Sequence, residues 1–86
     1  MQICFSGNYA FNAETFGILF EADLDGHRVS CLVSQEALQD IDPTNASEDA
    51  EQQFLANRKK FEILAELKIR AALPTRININ SADVHP

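Results

Sequence analysis

Any chemistry in this chain has to start from Asn57 and Arg58, which stand between Phe54 and Phe61 in a run of helix-forming residues. A guanidinium held at the edge of an apolar helix face needs a carboxylate, carbonyl oxygens or an anion beside it. Glu62 follows Arg58 by four residues, one helical turn, and can be that carboxylate, although Arg before Glu is the weaker order for a helical pair. Two readings are open. Asn57, Arg58 and Glu62 tie a helix to the layer beneath it, or they line a pocket that binds a carboxylate or another anion.

The other reactive residue types give less. Cys31 as a nucleophile would need a base, and neither His27 nor His85 is placed to serve it. Cys4 and Cys31 read as reduced, packed thiols, side by side if the first strand neighbours the second strand of the hairpin below. Asp23, Asp25 and His27 offer metal-binding atoms close in sequence, but Asp25 has its own reason to be in a turn. The sequence has no glycine-rich phosphate loop, no zinc-type cysteine spacing and no hydrolase elbow. No catalytic residue, metal or cofactor is expected.

Charge narrows the partners. The formal net charge of −6 argues against a nucleic-acid binder. Its distribution is uneven: residues 1–56 carry one Arg against ten acids, and residues 57–86 carry six Lys or Arg against three acids. Acidic strands facing a basic helix end within one molecule would explain this; a basic patch for an anion is the alternative. Met1 to Asn8 lacks the basic and apolar regions of a signal peptide, and no apolar run reaches membrane-spanning length. The expectation is a cytoplasmic protein with no membrane or nucleic-acid partner.

The elements that must position these residues can be read in turn. Ser47 to Leu73 has no Gly or Pro, is stopped by Pro74, and reads as one long helix. Asn45 and Glu48 have capping-box spacing at its start. One broad face carries Phe54, Phe61, Leu64, Ala65 and Ile69; a second, narrower stripe carries Ala56, Ile63 and Leu67. Such a helix is about 40 Å long, against roughly 30 Å for the diameter of a domain this size. It either overhangs the domain or breaks in two near its acidic start.

Asp25-Gly26 signals a two-residue hairpin turn. That register pairs Leu24 with His27, Asp23 with Arg28, Ala22 with Val29, Phe20 with Cys31 and Ile18 with Val33. All the large apolar partners share one face, while Leu19 and Leu32 form a small patch on the other. Met1 to Phe5 reads as a strand, Ser6-Gly7-Asn8 as a turn or loop, and Phe11 and Phe16 as residues tucked into the core edge. Ser34 is positioned to cap a short helix from Gln35 to Ile41. Ile77 and Ile79 alternate in a last strand, and Ser81 to Pro86 reads as a frayed tail that Val84 can pin. Strands grouped before helices argue for a single α+β domain over residues 1–86. Its mainly antiparallel sheet of three or four strands, in the order β-β-β-α-α-β, is covered by the long helix.

The segments GHRVSCLVSQEAL and FLANRKKFEILAELKI and the closing RINI, over roughly residues 17–80, resemble a bacterial family of small proteins catalogued as domain of unknown function 1488. The resemblance implies a small α+β fold without an established activity or catalytic residues. It adds to the interest of Asn57, Arg58 and Glu62, which lie in the NRKKFE segment.

Two functions are therefore expected to compete. One is a non-enzymatic binding or regulatory module that meets a second copy, as a homodimer, or another protein. Its contacts would be Leu19 and Leu32 on the sheet and Ala56, Ile63 and Leu67 on the helix. The other is a small-ligand sensor or minor enzyme with an anion pocket beside Arg58.

Overall fold

The hairpin forms around its turn. Asp25 and Gly26 have φ of 50° and 91°, both left-handed, as a type I′ turn requires. Two carboxylates fix it: Asp23 Oδ1 accepts from the Gly26 N–H at 2.7 Å, and Asp25 Oδ1 from the Gln2 N–H at 2.8 Å. The flanking strands β2 (Gly17–Leu24) and β3 (His27–Val33) pair in the expected register throughout. Ile18, Phe20, Ala22, Val29, Cys31 and Val33 are all buried on one face.

The computed structural model describes residues 2–41, 49–72 and 75–84. The elements besides the hairpin are β1 (Ile3–Asn12), α1 (Gln35–Ile41), α2 (Ala50–Ala56), α3 (Arg58–Ala72), β4 (Arg76–Ile79) and α4 (Ser81–Val84). The expected capping box at Asn45 and Glu48 and the stop at Pro74 lie outside the described residues. The fold is α+β, with one sheet in the order β1-β2-β3-β4. β1 to β3 are antiparallel, and β4 joins β3 in parallel, placing Ile77 and Ile79 beside Cys31 and Val33.

β1 is longer than expected. Ser6-Gly7-Asn8 is a bulge inside the strand, falling between the pairs Phe5–Ala22 and Tyr9–Phe20. Gly7 takes a φ of 89°, which a side chain would resist. Two extra residues preserve the alternation, so Tyr9 and Phe11 stay with Ile3 and Phe5 on the helix side.

Phe11 and Phe16 are not tucked in. They are 51% and 56% exposed, with ring centres 6.3 Å apart. The turn between β1 and β2 explains this for Phe16. Asn12 Oδ1 accepts from the N–H groups of Glu14 and Thr15, and Thr15 Oγ1 accepts from that of Gly17. Phe16 then closes the turn at φ 58°. A left-handed residue with a side chain costs roughly 1–2 kcal/mol.

The helical run comes in two pieces, α2 and α3, joined at Asn57. The Asn57 N–H donates to the Phe54 carbonyl at 3.2 Å, and its side-chain Nδ2 donates to the Gln53 carbonyl at 3.0 Å. The side chain thus takes over the hydrogen bond that the backbone would make in a continuous helix. Asn57's own carbonyl accepts from Lys60 and Phe61 and starts α3. The break relieves the expected overhang: α3 alone is about 22 Å long, in a molecule of 37 × 26 × 21 Å.

Phe54, Phe61, Ala65 and Ile69 are fully buried against the sheet, with Ala37 and Leu38 of α1. The Ala37 N–H donates to Ser34 Oγ, the expected cap. In place of a frayed tail, Ser81–Val84 is a helical turn. Asn80 and Asp83 cap it reciprocally, and Lys68 Nζ holds Asp83 Oδ2 at 3.1 Å.

Candidate functional site

Arg58 opens α3 and sits over an aromatic cluster. Phe54 is its centre, with ring centres of Phe20, Tyr9 and Phe61 at 5.3, 5.4 and 6.0 Å. The guanidinium carbon is 5.8 Å from the Phe54 ring centre and 5.9 Å from that of Tyr9. Arg58 Nε is 3.4 Å from Glu62 Oε2, so the partner expected from spacing is the observed one. The β1 bulge passes alongside: a Cβ added to Gly7 would lie 3.5 Å from Arg58 Nη2.

The structure adds two residues that spacing did not reveal. The Tyr9 hydroxyl donates to Glu51 Oε1 at 2.7 Å across a sequence separation of 42. That hydrogen bond, followed by partial loss of water and the charge of Glu51, raises the phenol above its ordinary 10.0; the charge of Arg58 works the other way. Tyr9 was hidden because β1 was expected to end at Phe5. The alternation of Tyr9 with Phe11 was the available signal.

Arg58 and Glu62 are thus brought together, while Asn57 turns inward to the Gln53 carbonyl. The guanidinium is engaged by one carboxylate and two rings. Four surface hollows are lined by residues other than Asn57, Arg58 and Glu62.

The thiols are separated. β1 neighbours β2 rather than β3, which puts Cys4 opposite Asp23 on the outer sheet face and Cys31 in the core. Burial pushes the Cys31 thiol up to about 12, far from a thiolate at neutral pH. The carboxylates of Asp23 and Asp25 are engaged in the turn, and among the described residues no group of three or more His, Cys, Asp or Glu is placed to hold a metal ion.

The exposed apolar side chains lie elsewhere. On α3, Ile63 and Leu67 are 54% and 62% exposed, on the side turned away from Phe61, Ala65 and Ile69. Ala56 is also exposed, at the end of α2. Ile63 borders a shallow hollow shared with Ile41, Leu64, Val84, Lys60 and Asp83, the last held by Lys68. Leu19 and Leu32 pair on the outer sheet face and are half-buried.

The four ion pairs found between described residues are local to one part of the chain or the other. The ion pairs between described residues are Arg28–Glu21 at 3.7 Å, Arg58–Glu62, Lys68–Asp83, and Arg70–Glu66 at 2.8 Å. Each stays within the acidic part, residues 1–56, or within the basic part, residues 57–86.

Among the described residues, no helix is long and apolar enough to cross a membrane. No curated protein matches the chain. A crystal structure of a protein of unknown function from the DUF1488 family of Shewanella loihica PV-4 is similar, with a TM-score of 0.73 over 90% of each chain and 23% identity. At that identity the likeness speaks for the fold. The model of the family described as "Protein of unknown function (DUF1488)" matches residues 3–77. With most of its length matched in this way, the chain belongs to the DUF1488 family.

Proposed function

We propose that this chain is a cytoplasmic, non-enzymatic binding module that associates with its own kind through the outer side of α3. The observation that supports this reading most is the exposure of Ile63 and Leu67, two large aliphatic side chains on a helix whose other side already completes the core. Water contact with both is unfavourable, and covering them on association is the gain. Ala56, Leu19 and Leu32 extend the apolar surface open to a partner. Reduced thiols at Cys4 and Cys31 suit a cytoplasmic setting. An anion sensor at Arg58 has less support, because Glu62, Tyr9 and Phe54 already engage the guanidinium.

The patch is small, so the association belongs to the transient class. Sedimentation equilibrium over a concentration series tests it. The mass of the wild type is expected to rise above that of the monomer with concentration, and Leu67→Asp and Ile63→Asp to suppress the rise. A wild type that stays monomeric at high concentration, or a rise that neither substitution changes, overturns the reading.

A further inference from the structure

The self-association proposed above leaves open what the α3 ridge meets on the second copy. The large exposed apolar side chains of the described residues include two groups of opposite electrostatic character. Ile63 and Leu67 are accompanied on the same side of α3 by Lys59, Lys60 and Arg70, with Glu66 bound to Arg70. Phe11 and Phe16 stand at the β1–β2 turn with Glu14 in the turn itself, and they share a shallow cleft with Asp49, Ala50, Gln35 and Gln39. The one cation of residues 1–56, Arg28, sits at the opposite end of the β2–β3 hairpin, about 20 Å away at 3.3 Å per residue.

Two further observations join these patches. None of the four ion pairs found between described residues joins the Phe11–Phe16 tip to the α3 ridge. Phe16 also holds a left-handed turn position, φ 58°, at which glycine is the unstrained residue, and shows over half its surface to water. An aromatic placed there against both backbone preference and solvent is the kind of anchor that interfaces use.

We infer that the chain assembles head to tail, the Phe11–Phe16 tip of one copy seating against the Ile63–Leu67 ridge of the next. Different surfaces meet in such a contact, so each copy retains one free patch and the assembly grows past the dimer unless it closes into a ring. Attraction between an acidic tip and a basic ridge also weakens as salt is raised.

The inference rests on the self-association reading, and mixing two blocked variants separates the two ideas. Phe16→Gly disables the tip and suits the local backbone; Leu67→Asp disables the ridge on an exposed helical position. Circular dichroism confirms that each is folded, and Phe11→Ser and Ile63→Asp serve as second variants for either side. Each variant alone is expected to show its association constant reduced more than about tenfold. Mixed in equal amounts, Phe16→Gly and Leu67→Asp are expected to form a one-to-one pair, because one keeps the ridge and the other keeps the tip. Added salt is expected to weaken both this pair and the wild-type assembly. If the wild type associates but the mixture stays monomeric, the contact is not head to tail and this inference falls while the self-association reading stands. If the wild type is monomeric throughout, both fall.

Discussion

The two hairpins that share β2 are built by different rules. Between β2 and β3, every pair continues without a break from Leu24–His27 to Ile18–Val33, and the left-handed turn positions belong to Asp25 and Gly26, which tolerate them. Between β1 and β2, a bulge interrupts the pairing and the left-handed position belongs to Phe16. The first hairpin is explained by folding alone: each residue does what its turn, strand or core position needs. The second contains features that folding alone would not choose. Around the bulge, Tyr9 reaches Glu51 and Gly7 lies beside Arg58, and at the end of the hairpin two phenylalanines stand in water.

The sharpest way to break this contrast is at the strand both hairpins share. Phe20 is 2% exposed, with ring centres of Phe5 at 6.1 Å and Phe54 at 5.3 Å. Phe20→Ala is expected to lower stability by about 3–5 kcal/mol in urea denaturation. A loss below about 1 kcal/mol would mean that the core does not rest on β2.

A smaller effect distinguishes the two turns by sign. A Cβ on Gly26 meets nothing within 4 Å, so Gly26→Ala is resisted by the φ of 91° alone and is expected to destabilise by about 1 kcal/mol. Phe16→Gly removes the corresponding strain and is expected to stabilise by a few tenths to about 1 kcal/mol. If both substitutions destabilise equally, Phe16 belongs to the fold like any core residue, and the contrast between the hairpins disappears.

The thiols sharpen the comparison with the least disturbance. Cys4 on β1 is exposed and Cys31 on β3 is buried. A thiol reagent at neutral pH is expected to modify Cys4 in the native protein and both cysteines in denaturant. The raised value of Cys31 also sets a direction for pH. Above the ordinary 9.0, the unfolded chain releases the Cys31 proton while the folded chain keeps it until about 12. Stability is therefore expected to fall as pH rises through that window, and less steeply in Cys31→Ala. An equal pH slope in the two proteins would remove Cys31 as the cause.

What could be read from the sequence follows the same division. The β2–β3 register was legible because the Asp25-Gly26 turn and the period-two alternation name one answer independently. Arg58 with Glu62 was legible because helical spacing is local. The β1 bulge was not, since Ser6-Gly7-Asn8 is a turn signal until pairing with β2 extends the strand past it. Asn57 concealed the break between α2 and α3, because only the geometry shows its side chain taking the Gln53 carbonyl. Tyr9 with Glu51 depends on a contact across half the chain, and Phe16 appeared internal because large aromatics usually are.

The parallel strand β4 has a consequence for how the protein is made. β3 is complete once Val33 has left the ribosome, but the strand that covers its far edge begins only at Arg76, after three helices. A nascent chain that folds as it emerges therefore carries the open backbone of β3 through the synthesis of everything between. Open strand edges recruit other strands, and distant pairings close slowly. Chains cut short before Arg76 would present that edge permanently and are expected to aggregate more readily than the full chain.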